Sequence, residues 1–113
     1  RPVSSLRAML RAQAELASPP GGGRPLFLKV GIHLGPCIAV TLNGRLDYFG
    51  STVNAAARIE GLSNGDDVIV SGAVRDDPEV ATLLGELDAE PLEAELRGFN
   101  DERFTLWRVR ARA

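Results

Sequence analysis

A run of six helix- and strand-breaking residues divides this chain into a short leading segment and a long remainder. The run is Ser18-Pro19-Pro20-Gly21-Gly22-Gly23, and neither a helix nor a strand continues through such a sequence, because proline lacks an amide hydrogen and glycine orders poorly. Before it, apolar residues recur at helical spacing on one face, with arginines and a glutamate on the other (Leu6, Met9, Leu10, Gln13, Ala17; Arg7, Arg11, Glu15). We predict a leading helix over residues 1–18, capped by Ser4 or Ser5, a linker over 19–25 and a core over 26–113.

The first half of the core predicts two strands and a helix. Apolar residues alternate from Leu26 to Ile32, whereas Cys37 to Leu42 is almost wholly apolar. We expect these strands to pair as an antiparallel hairpin across the Gly35-Pro36 bend, with Asn43-Gly44 as a further turn. Val53 to Leu62 predicts a short helix that ends at Asn64-Gly65.

The second half predicts a buried strand, a helix and two closing strands. Val68-Ile69-Val70 predicts the buried strand, and Asp77-Pro78 is a typical helix start followed by an apolar stripe (Val80, Leu83, Leu84, Leu87). Leu96 and then Phe104 to Val109 predict strands around a loop at residues 98–101. The order of elements predicts an α+β fold with an antiparallel sheet and helices on one face.

Composition restricts the classes of function. With 113 residues and a net charge of −2, the chain fits one domain and argues against a general nucleic-acid binder. No apolar run could cross a membrane, so we expect no membrane contact and a cytoplasmic location. Cys37 and His33 each stand alone, which leaves no disulfide framework or cysteine-rich zinc site, and we assign both to structure. The abrupt helical start suggests a piece of a longer protein.

Three polar residues around the predicted helix are candidates for ligand binding. Asn54 and Arg58 are four residues apart, the spacing at which two helix side chains meet one ligand. A planar guanidinium suits phosphoryl oxygens, although Arg58 could instead be a surface residue paired with Glu60. Asn54 could be a helix cap, and Asp47 could be a loop carboxylate or a cap.

Two blocks of sequence then identify a family. Gly31-Ile32-His33-Leu34-Gly35-Pro36 is followed by Asp47-Tyr48-Phe49-Gly50-Ser51-Thr52-Val53-Asn54-Ala55-Ala56-Ala57-Arg58, and the likeness continues through residues 68–71 and 96–99. This pattern resembles the catalytic domain of class III nucleotidyl cyclases, the adenylate and guanylate cyclase family, with bacterial adenylate cyclases the nearest in kind. The resemblance covers most of residues 26–109 and implies the C-terminal part of that ferredoxin-like fold.

The resemblance also implies roles for individual residues. The arginine that matches Arg58 contacts the α-phosphate in the family, and the asparagine that matches Asn54 orients the ribose for ring closure. Arg97 stands where the family usually has a lysine that reaches the terminal phosphates; the alternative is a solvated strand end. An aspartate at the position of Asp47 accepts from the adenine amino group, so the resemblance implies ATP as substrate.

For the whole domain, the resemblance implies conversion of ATP to cyclic AMP and pyrophosphate in signal transduction, with two Mg²⁺ or Mn²⁺ ions. In the family the site forms between two subunits, so a homodimer is implied. The metal-binding aspartates lie in the N-terminal half and have no counterpart here, and we expect Gly65-Asp66-Asp67 to be a solvated turn. The segment alone is therefore predicted to be inactive. The alternative is a degenerate nucleotide-binding or dimerisation module without turnover.

Overall fold

The structure, a computed structural model, describes residues 1–18, 20–34, 38–42, 45–49, 51–95 and 103–112. The elements in chain order are α1 (Pro2–Ala17), a short 3-10 helix (Pro20–Gly22), β1 (Val30–Ile32), β2 (Ile38–Leu42), β3 (Arg45–Phe49), α2 (Ser51–Glu60), β4 (Val68–Ser71), α3 (Gly72–Arg75), α4 (Pro78–Leu84), β5 (Asp88–Glu95) and β6 (Arg103–Arg110). None of the helices in these ranges combines the length and the apolar character that crossing a bilayer requires.

Four of the six described strands form one mixed sheet, which confirms the α+β class. The strand order is β1-β4-β6-β5; β1 runs parallel to β4, and the other two pairings are antiparallel. The sheet is thus not purely antiparallel, as the sequence had suggested. Strands β2 and β3 form a separate antiparallel hairpin.

The predicted hairpin between the first two strands is wrong. Strand β1 pairs with β4, and β2 pairs with β3, with Leu42 opposite Arg45. Only residues 43–44 connect β2 to β3, and Asn-Gly is the typical sequence of a two-residue hairpin connection. The hairpin that forms is thus the one across residues 43–44. The predicted bend at Gly35-Pro36 lies outside the described residues.

The first strand is also shorter than the alternation from Leu26 predicts. The backbone N–H of Leu26 donates to the carbonyl of Leu16 (2.9 Å), and Gln13 Nε2 donates to the carbonyl of Leu28 (2.7 Å). The backbone N–H of Leu26 and the carbonyl of Leu28, which a strand would use to pair with its neighbour, are thus bonded to α1 instead. Regular pairing begins only at Val30, and Leu26 and Phe27 remain exposed.

The sheet buries an apolar cluster on each face, so the helices do not lie on one face as predicted. On one face, α1 and α4 pack against strand residues that include Val68, Val70 and Val109. Ile69 points to the opposite face, because successive side chains of a strand alternate. There it packs with Leu106 and with Ile59 of α2. Helix α2 is therefore set apart from the other helices by the sheet.

The predicted helix cap is found in α4 but not in α1. Asp77 caps α4 as predicted, because its carboxylate accepts from the backbone N–H groups of Glu79 and Val80, both at 3.1 Å. Helix α1 begins at Pro2, and neither Ser4 nor Ser5 caps it, since both lie inside the helix. Proline at the first position suffices to start α1 because its φ angle is already helical.

Gly31 lets α2 approach β1 at backbone distance. A Cβ atom at this position would lie 2.7 Å from the Cα of Glu60 and 2.9 Å from the carbonyl carbon of Ile59. Real Cβ atoms do not come this close to backbone. The C-terminal end of α2 thus rests directly on β1, which fixes the height of the helix above the sheet.

Gly31→Ala is expected to lower the free energy of unfolding by about 1–3 kcal/mol, because the backbone of α2 cannot move aside as a side chain can. Urea denaturation of the two proteins measures the difference. Gly72→Ala is the matched control: its Cβ would meet atoms only at 3.7 and 3.9 Å, which is ordinary contact. Equal stability of the Gly31 variant and the parent protein would contradict this packing.

Candidate functional site

Helix α2 presents Asn54 and Arg58 side by side on its exposed surface. The residue that follows each of them is buried: Ala55 is 2% exposed and Ile59 0%. These two side chains pack the helix against the rest of the fold. A step of one residue turns about 100° around a helix, so Asn54 and Arg58 flank the packed face, and both are exposed. The structure thus places the amide and the guanidinium one helical turn apart, where a single ligand could contact both.

Arg58 is not paired with Glu60. No ion pair of Arg58 is found among the described residues, although six others are present in that part of the chain. The interpretation of Arg58 as a surface cation held by Glu60 therefore loses its support. An exposed guanidinium with five N–H donors remains on this surface of α2.

Asp47 lies on β3, opposite Val40 in the β2–β3 register. Strand β3 contacts α2, so the backbone of Asp47 belongs to the same part of the molecule as Asn54 and Arg58. It is a strand residue and not part of a loop. The side chains of this hairpin lie outside the described residues, as do Arg97 and Cys37.

His33 has the structural setting expected of it. Its Nδ1 lies 2.8 Å from the hydroxyl oxygen of Ser71, which is buried at the end of β4. Burial lowers the pKa of His33 below its usual value, so the imidazole is neutral at neutral pH. The contact joins the end of β1 to the end of β4.

Asp67 is the polar residue that the sequence interpretation missed. The predicted solvated turn at residues 65–67 is wrong for Asp67, which is 0% exposed, whereas Asp66 is exposed as expected. Its Oδ1 accepts from Ser63 Oγ (2.7 Å) and from the backbone N–H of Asn64 (2.9 Å), and its Oδ2 pairs with Arg108. A signal was available: Asp67 directly precedes the buried Val-Ile-Val strand, and β6 carries arginines at alternate positions.

The charge of Asp67 is stabilised by these contacts. Burial alone would raise the pKa of Asp67, but the hydrogen bonds from Ser63, Asn64 and Arg108, together with the arginine's charge, hold that pKa below its ordinary value. The carboxylate is therefore ionised at neutral pH. Arg110 adds a second, more distant guanidinium at 3.7 Å.

The described residues do not fit a two-metal site. Within the ranges given above, no group of three or more His, Cys, Asp or Glu side chains is placed to hold a metal ion. Asp66, which follows Gly65 in the sequence, pairs at 3.5 Å with Arg110.

Comparison with known proteins identifies the family. The sequence pattern of the adenylate and guanylate cyclase catalytic domain matches residues 6–98, which include most of α1, the β2–β3 hairpin and α2. The chain belongs to this family of catalytic domains.

Both kinds of cyclase occur among the relatives. An adenylate cyclase of Mycosarcoma maydis is 42% identical over 67 residues, which is 58% of this chain and 3% of that protein. The human guanylate cyclase soluble subunit beta-2 is 37% identical over 67 residues, 55% of this chain and 11% of that protein. The chain thus spans a small part of the relatives it matches, and its sequence is similar to enzymes with either substrate.

Solved structures of cyclase domains share the fold. An adenylate cyclase of Trypanosoma brucei, solved in its monomeric state, superimposes with a TM-score of 0.62 at 25% identity, over 94% of this chain and 52% of that one. The guanylate cyclase domain of RhGC from Catenaria anguillulae, solved in complex with GTP, gives 0.55 at 25% identity, over 72% of this chain and 43% of that one. The chain therefore corresponds to about half of such a domain.

Proposed function

We propose that this chain is the nucleotide-contacting, C-terminal part of an adenylate cyclase catalytic domain that converts ATP to cyclic AMP and pyrophosphate. The observation that carries the proposal is the pair Asn54 and Arg58, exposed together on α2 within the segment that matches the family. The leading helix, the linker and the core over residues 26–113 are then parts of one domain. The domain that contains this segment together with its N-terminal half is called the complete cyclase below.

Each residue has a task that its chemistry supports. Arg58 binds the α-phosphate and gains strength as negative charge grows there when the ribose 3′-oxygen attacks. Asn54 holds the ribose through an amide that both donates and accepts hydrogen bonds. Asp47 accepts from the adenine amino group, and Arg97 binds the terminal phosphates.

The remaining parts of the reaction are supplied from elsewhere. The metal ions, Mg²⁺ or Mn²⁺, would lower the charge barrier of the phosphoryl step, and their ligands belong to the N-terminal half. We propose a homodimer in which that half of one subunit faces α2 of the other. The enzyme is then a cytoplasmic component of signal transduction.

Base selection tests the choice of ATP over GTP. A carboxylate at Asp47 accepts from the amino group of adenine, whereas guanine would present a carbonyl oxygen and oppose two acceptors. Opposed buried polar groups cost roughly 1–3 kcal/mol, which corresponds to about a ten- to hundredfold preference. Asp47→Cys in the complete cyclase is therefore expected to narrow the ratio of kcat/KM for ATP to that for GTP by about tenfold.

Steady-state kinetics with both nucleotides measure this ratio. Asp76→Cys, the same change at an exposed position between α3 and α4, is the control and should leave it unchanged. An unaltered ratio in the Asp47 variant would show that another residue selects the base. A parent enzyme that prefers GTP would overturn the assignment as an adenylate cyclase, and one that binds nucleotide without turnover would favour the degenerate binding module.

A further inference from the structure

We infer that Asp67 and Arg108 form a positioning pair that fixes the C-terminal end of α2, and through it the place of Arg58 in the nucleotide site. The inference rests on the proposed function, since it concerns the same site. Among the described residues, neither side chain is hydrogen-bonded to or paired with Asn54 or Arg58. Their effect on the reaction is therefore indirect, through the path of the backbone.

The pair is tied to α2 by an unbroken series of hydrogen bonds. Arg108 Nη1 donates to the carbonyl of Leu62 at 3.4 Å, and the N–H of Leu62 donates to the carbonyl of Ile59 at 3.0 Å. On the other side of Asp67, Ser63 donates its hydroxyl to the carboxylate, and the N–H of Ser63 donates to the carbonyl of Glu60 at 3.0 Å. The last carbonyls of a helix lack partners within it. Here the carbonyls of Ile59 and Glu60 accept from Leu62 and Ser63, and these two residues are bonded in turn to Arg108 and Asp67.

The same network reaches the rest of the fold. Gln13 of α1 donates from one amide nitrogen to the backbone carbonyls of Asp67 (2.5 Å) and Leu28 (2.7 Å). Arg108 belongs to β6, in the middle of the sheet order. The loop after α2 is therefore bonded to α1, to the segment before β1 and to the sheet. The close approach of Gly31 to Ile59 and Glu60 also fixes the end of α2 against β1.

The buried Asp67–Arg108 pair contributes more to holding the end of α2 in one position than to the overall stability of the fold. A buried ion pair often contributes little net stability, because removing two charges from water offsets their attraction, but its geometry is strict. Asp67 is 0% and Arg108 19% exposed in their side chains. Arg58 lies in the last turn of α2, two residues before the helix ends at Glu60, and the N–H of Leu62 is bonded back to Ile59 of that turn. A shift at Leu62 therefore moves the end of the helix that carries Arg58.

A displaced Arg58 would slow the reaction, because catalytic rates depend steeply on the position of the catalytic groups. A misplacement of about 1 Å lowers a rate by up to about 10²-fold. Asp67→Asn in the complete cyclase is expected to lower kcat by about tenfold with little change in KM, because the contact of Arg58 with the α-phosphate is strongest in the transition state. Asp66→Asn is the matched control: the same change, one residue away, on a side chain that is 60% exposed.

A double-mutant cycle separates positioning from a purely structural role. If Asp67 acts through Arg58, Asp67→Asn should lower kcat by no more than about threefold in an Arg58→Ala background, since the contact it positions is already gone. All kinetics are measured below the melting temperature of each variant, so that they refer to folded enzyme. A full tenfold loss in both backgrounds would overturn the inference, as would an unchanged kcat for Asp67→Asn alone.

Arg108→Lys keeps the inference testable if Asp67→Asn does not fold. Lysine retains the charge opposite Asp67, but a single ammonium does not reproduce the fork that reaches both the carboxylate and the carbonyl of Leu62. The same selective loss of kcat, again absent in the Arg58→Ala background, is expected. If Arg58→Ala itself leaves kcat unchanged, the proposed function fails and the inference with it; if Arg58 matters but the effects are additive, only the inference fails.

Discussion

Replacing Arg58 by alanine in the complete cyclase is expected to lower kcat by about 10²–10³-fold while KM changes little. The magnitude follows from removing one donor that stabilises a developing oxyanion. A contact that strengthens as charge grows on the α-phosphate acts on the transition state more than on bound substrate. The structure supports this role because Arg58 is exposed on α2 and forms no ion pair among the described residues.

Steady-state kinetics separate the two parameters. Glu60→Ala is the matched control, because Glu60 lies on the same helix, is also exposed and forms no ion pair with Arg58. Arg58→Lys should fall between the parent enzyme and the alanine variant, since it retains the charge without the planar fork. A tenfold rise in KM at unchanged kcat would contradict the proposed role, and would make Arg58 a contact to bound substrate only.

The parts of the fold that the sequence predicted are those decided by neighbouring residues. Asp77-Pro78 starts α4 because the cap and the fixed φ angle act within one turn. Val68, Ile69 and Val70 form a buried strand because three apolar β-branched residues in a row fit between two packed faces. Asn54 and Arg58 lie together for the same reason, since their spacing alone brings them to one side of any helix.

The parts that were missed depend on residues far apart in the chain. Which strand pairs with β1 is settled by β4, whose first residue lies 38 positions after Val30. The burial of Asp67 depends on Arg108, 41 positions away, and two aspartates after an Asn-Gly pair otherwise resemble a surface turn. The strand predicted from Leu26 was shortened by Gln13, whose side chain occupies a backbone carbonyl that a strand would use.

The 113-residue chain alone is expected to produce no cyclic nucleotide with Mg²⁺ or Mn²⁺. In the proposed enzyme the residues that contact the nucleotide and those that hold the metals come from different halves of the domain, and this chain corresponds to about half of such domains. Two-metal chemistry needs both sets in place. Metal-dependent cyclic AMP formation by the pure chain would contradict the prediction, and would locate metal ligands within it.

Complementation shows whether a chain that makes no cyclic nucleotide by itself can still supply the residues that contact the nucleotide. If the active site lies between subunits, adding the 113-residue chain in excess to the Arg58→Ala complete cyclase supplies the missing guanidinium from a second molecule. Activity should then rise well above that of the variant alone, whereas the chain carrying Arg58→Ala should restore nothing. No rescue by the unaltered chain would contradict the shared site, because the arginine would then act only within its own subunit. If the unaltered chain restores activity and the chain carrying Arg58→Ala does not, Arg58 lies at the subunit interface and faces metals held by the partner.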